Sequence, residues 1–74
     1  MKLSEKLAMD HLSGAAKDTL YKLGKYGAQE DGNLPSKIGM MVLIGKGMAY
    51  KDCDLDKPNN LTENGFVQYK RLFL

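Results

Sequence analysis

The chain is short of the residues that most specialised chemistries require. Cys53 is its only cysteine, so no internal disulfide can form and no cysteine pair can begin a zinc site. A single free thiol fits a reducing cytoplasm. The longest strongly apolar run, Met40 to Ile44, is far below the ~20 residues a membrane span needs. At the N-terminus Glu5, Asp10 and His11 interrupt the apolar segment a secretory leader would require. The expectation is a cytoplasmic protein with no membrane partner.

Catalytic groups are equally sparse. His11, the one histidine, has Asp10 beside it, and sequence neighbours on a helix do not face each other. Cys53 lies between Asp52 and Asp54, whose charges oppose thiolate formation. Gly45 and Gly47 flank a turn without the longer pattern of a phosphate-cradling loop. The acidic spacing Asp52, Asp54, Asp56 and Glu63 matches positions one, three, five and twelve of a calcium loop. It fails where that loop is strict, because Lys57 stands in place of the glycine and Pro58 follows it. These observations give catalysis little to stand on, and neither an enzyme, a metal, a cofactor nor a small-molecule substrate is expected.

What remains is a chain of 74 residues, 43% hydrophobic and 27% charged, with a net charge of +2. That composition fits one globular domain over residues 1–74. So small a domain buries only roughly 60% of the surface its unfolded chain exposes, which leaves few residues for a deep cleft. The mild basic excess permits an anionic partner without specifying one.

Helical spacing over 4–12 (Leu7, Ala8, Met9 and Leu12, capped by Ser4) predicts a first helix. Ser13 caps a second, whose inner face is Ala16, Thr19, Leu20 and Leu23 and which Gly24 or Gly27 can end. Asp31-Gly32-Asn33 is a turn. Pro35 suits the first turn of a helix running to Lys46 and ended by Gly47. Its core face would be Ile38, Val42 and Leu43. The run Met40–Ile44 also suits the first arm of a hairpin, and pattern alone leaves both readings open. Met48–Cys53 alternates as a strand, and 54–60 reads as a loop. Thr62 caps a closing helix with Phe66, Tyr69, Leu72 and Phe73 at spacings of three and four. The expected core is Leu12, Leu20, Leu23, Ile38, Val42, Leu43, Leu61, Phe66, Tyr69 and Leu72.

Two local motifs carry a resemblance. Leu43-Ile44-Gly45-Lys46-Gly47-Met48-Ala49 resembles the junction that ends the recognition helix and opens the wing of winged helix-turn-helix domains. Asn60-Leu61-Thr62-Glu63-Asn64-Gly65 resembles the leucine-threonine-glutamate-lysine-glycine signature that starts the helix after the wing in MarR-type regulators. The stretch they place in the resemblance runs from residue 34 to 72. The resemblance implies an α+β, mainly helical, winged-helix-like domain of three to four helices with a short two-stranded wing, similar to small regulators of bacteria and their phages. It implies DNA as ligand, met by Ser36, Lys37 and Met41 at the start of the recognition helix and by Lys46, Lys51 and Lys57 at phosphates.

The residues themselves offer a second reading. The helix is unusually apolar for a base reader, and Asp52, Asp54 and Asp56 repel phosphate from the wing. Met40, Met41 and Ile44, exposed together, would form a face for another protein or a second copy. A greasy face beside Lys37 favours protein, a polar and basic one DNA.

Overall fold

The computed structural model describes residues 12–74. The expected first helix, with His11 and Asp10, lies outside the described residues. Three α-helices and a two-stranded antiparallel sheet follow in the order α1 (Gly14–Tyr26), a 3-10 turn (Asp31–Asn33), α2 (Lys37–Gly45), β1 (Ala49–Lys51), β2 (Asn59–Leu61) and α3 (Glu63–Phe73). The chain is thus a small, mostly helical α+β fold. None of its described helices is long and apolar enough to cross a membrane.

Each described helix starts on a side-chain cap; Ser13 and Thr62 are the caps expected from sequence, whereas Ser36, expected within the first turn, caps its helix from outside. Ser13 accepts the Ala16 N–H, Ser36 the Gly39 N–H and Thr62 the Gly65 N–H, each satisfying a backbone donor that the first turn leaves unpaired. Pro35 therefore precedes the cap instead of opening the helix. The Met40–Ile44 run is helical throughout, and the hairpin reading of it is removed.

Helix α1 packs against both α2 and α3, and its inner face is Ala16, Thr19, Leu20 and Leu23, as the spacing predicts. Leu43, Met48, Ala49, Leu61 and Tyr69 complete much of the core, with Val42 and Leu72 half-buried against it. Gly24, which offered one stop for α1, sits inside the helix under the Tyr69 ring. Gly27 ends it.

Two expected core residues are outside. Ile38 is 74% exposed and Phe66 42%. In both helices the neighbouring glycine occupies the contact line. A Cβ on Gly39 would strike the Ala15 carbonyl oxygen, and one on Gly65 the Met48 carbonyl oxygen. Residues one step along a helix turn by about 100°, so Ile38 and Phe66 are rotated away from the line their glycines define.

The hairpin pairs Ala49 with Leu61, Tyr50 with Asn60 and Lys51 with Asn59. Residues 59–61 fall partly in the expected loop. Asparagine is a poor strand former, but Asn59 is held from its other side too, by paired backbone bonds with Gln29 at 3.0 and 3.1 Å.

Candidate binding face

Helix α2 carries one charged residue, Lys37, in an otherwise apolar and glycine sequence. A helix that is apolar on all sides is ordinarily buried all round, yet α2 is covered on one side only. Here the inner side is Gly39, Met40 and Leu43, pressed on α1 where Thr19 is fully buried and donates its hydroxyl to the Ala15 carbonyl at 2.8 Å. The outer side is Ile38, Met41 and Ile44, spaced by three, at 74%, 70% and 42% exposure. Met40, expected on that outer face, is instead 3% exposed and belongs to the core.

The end of α2 is fixed with equal firmness. Gly47 has φ +72°, a conformation that costs a residue with a Cβ roughly 1–2 kcal/mol. Its N–H bonds the Ile44 carbonyl at 3.0 Å, and the Met48 N–H bonds the Leu43 carbonyl at 2.9 Å. This crossed pair is a Schellman closure, and the Met48 and Leu43 side chains share the core beneath it. The start of α3 locks onto the same corner. Thr62 donates its N–H to the Met48 carbonyl at 3.0 Å and its hydroxyl to the Gly47 carbonyl at 2.6 Å.

Between α2, the 3-10 turn and the base of the hairpin runs an open groove of about 250 Å³. Its walls are apolar at Leu34, Met40, Met41 and Ile44 and polar at Asp31, Lys37, Lys51 and Asn59. Asn59 donates through Nδ2 to Asp31 Oδ1 at 2.8 Å and to the Gln29 carbonyl at 3.0 Å. Lys51 Nζ stands 2.9 Å from Asp31 Oδ2. The Asn59 amide first, and the Lys51 ammonium second, hold the Asp31 carboxyl below the usual aspartate value. The same contact raises Lys51. Asn59 is buried, yet its Oδ1 has no hydrogen-bond partner, an uncommon state for a buried acceptor.

Of the residues singled out from sequence, Lys37, Met41, Ile44 and Lys51 meet at this groove, with Met40 as its inner wall. Ser36 is half-buried and its oxygen is engaged in its own helix cap. Lys46 caps the far end of α2, and Lys57 lies exposed in the hairpin loop. Neither lines the groove. Sequence reasoning missed Ile38, which stands three residues before Met41 and so shares its stripe, and it missed the Asp31–Lys51–Asn59 cluster. The cluster joins residues 20 or more positions apart, for which a single sequence carries no signal. The described residues contain no group of three His, Cys, Asp or Glu side chains placed to hold a metal ion.

No protein-family model, curated protein or solved structure matches the chain.

Proposed function

We propose that the protein is a winged-helix-like interaction module that docks another protein on the outward face of α2. The architecture is supported by the order of its parts: α1, the Gln29 bridge, a turn, α2 closed by Gly47, the hairpin as wing, and α3 capped by Thr62. In this reading α2 takes the place of the recognition helix.

The observation that carries the choice of partner is the exposed stripe Ile38, Met41 and Ile44 beside Lys37. Base edges are read by polar and basic side chains, and the only charged side chain α2 offers at this face is Lys37. Side chains of the DNA reading are also engaged elsewhere. Lys51 is paired with Asp31, Ser36 holds its cap, and Lys57 shares its loop with Asp52, Asp54 and Asp56. An apolar helical stripe with a cationic rim suits a protein surface instead.

Titration with mixed-sequence duplex DNA tests the choice. The expected result is no affinity that falls steeply with salt, while a protein retained on the immobilised chain is lost with Met41→Glu and kept with Lys57→Ala. DNA binding that survives Met41→Glu, weakens with Lys37→Ala and shows the steep salt slope of counterion release would overturn the reading.

A further inference from the structure

Two surfaces of this molecule have opposite character and complement each other. The first is the α2 stripe, apolar at Ile38, Met41 and Ile44, with exposed Lys37 and Lys46 at its two ends. The second is the hairpin loop 52–58. It carries Asp52, Asp54 and Asp56, and at its centre Leu55 is 48% exposed. The loop is internally braced: the Asp54 N–H bonds Asp52 Oδ1 at 3.1 Å, the Leu55 N–H bonds the Asp52 carbonyl at 3.1 Å, and the Asp52 N–H bonds the Pro58 carbonyl at 2.9 Å. A leucine flanked by carboxylates is thus presented on an ordered turn, and little conformational freedom is lost when it docks.

We infer that the partner covering α2 is a second copy of this chain, whose hairpin loop seats Leu55 on the Ile38–Met41–Ile44 stripe with Asp54 and Asp56 facing Lys37 and Lys46. The exchange is reciprocal, each copy giving a loop and receiving one, so the contact closes as a two-fold dimer. Area favours this over a one-sided contact. Three helix side chains alone fall short of the ~800 Å² that each partner of a stable complex usually buries; the reciprocal arrangement adds the loop of each copy to its stripe. Carboxylates opposite lysines also set the orientation, because the alternative of stripe on stripe would bring the lysine-flanked helices of both copies together. The inference rests on the reading of α2 as a protein-binding face.

Sedimentation equilibrium from micromolar to millimolar protein tests it. The expected result is a monomer–dimer equilibrium that weakens as salt rises. Leu55→Ser and Met41→Glu each raise the dissociation constant by about tenfold or more. A charge exchange gives the sharper readout. The double variant Asp54→Lys with Asp56→Lys, and the double variant Lys37→Glu with Lys46→Glu, are each monomeric alone and form a heterodimer when mixed. All of these positions are exposed, and circular dichroism on each variant checks that the fold is kept. A wild-type chain that stays monomeric throughout overturns the inference, as does a dimer indifferent to Leu55→Ser or a charge exchange that restores nothing. A monomer that still retains a different protein in a Met41-dependent way removes the second copy and leaves the α2 reading in place.

Discussion

The two sides of α2 are built from the same kinds of residue and meet opposite fates. Met40 is 3% exposed and Met41 70%; Leu43 is fully buried and Ile44 is 42% exposed. Composition cannot separate them. What does is the place where the helix backbone touches α1, at Gly39, since the side chains nearest that line are enclosed and those opposite are not. Apolarity on a helix therefore states how much surface wants cover, and the position of the closest backbone contact states which part of it receives cover within the chain.

The strongest way to test this division is to truncate both sides. Leu43→Ala removes a fully enclosed side chain and is expected to cost about 3 kcal/mol in urea unfolding, within the range of core leucine truncations. Ile38→Ala is expected to change stability by no more than ~0.5 kcal/mol, as exposed substitutions do. Equal costs would mean that the outer stripe is packed and the division false. Next in size is the closure that sets where α2 ends. Gly47→Ala places a Cβ at φ +72° and should destabilise by about 1–2 kcal/mol. An unchanged unfolding midpoint would show that the Schellman corner does not fix the helix end. The smallest effect concerns the polar end of the groove. Asp31 is held below its ordinary value in the folded chain, so its contribution is present above the unfolded value of roughly 3.9 and is lost as pH falls through the lower folded value. Thermal melts of the wild type and Asp31→Asn should differ by a constant margin at neutral and mildly acidic pH and converge below about pH 4. A margin that persists at the lowest pH would assign the effect to something other than ionisation.

Much of the framework was legible from residue types alone. Ser13 and Thr62 marked helix starts because a short side-chain oxygen satisfies an orphan amide, and Gly27 and Gly47 marked helix ends because they tolerate positive φ; the Ser36 cap was hidden because Pro35 suits a first turn equally well. The inner face of α1 followed from spacing. The missing side chain of Gly65 admits the Met48 carbonyl oxygen, a close approach that spacing does not announce. The errors share one physical cause. Ile38 and Phe66 were assigned to the core for their hydrophobicity, whereas the contact lines run through Gly39 and Gly65, residues that contribute nothing to an apolar pattern. Met40 was turned outward by the same mistake in phase. The second strand was hidden for a different reason. Asn59 and Asn60 resemble turn residues, and only pairing with Gln29 and Lys51 from opposite sides makes Asn59 a strand position. At the candidate face, Met41, Ile44 and Lys37 were visible in the sequence, and the Asp31–Lys51–Asn59 cluster was not.

The hairpin leaves and rejoins the rest of the molecule within the span of a single hydrogen bond, from the Asp52 N–H to the Pro58 carbonyl at 2.9 Å. Its tip can accordingly be shortened, lengthened or exchanged for foreign sequence at little entropic penalty, because closing a longer loop between fixed ends adds only a slowly growing cost. The scaffold is expected to keep its shape when the projecting tip is replaced, so a foreign peptide spliced in its place would remove the Leu55 contact without unfolding the helices and would separate self-association from folding.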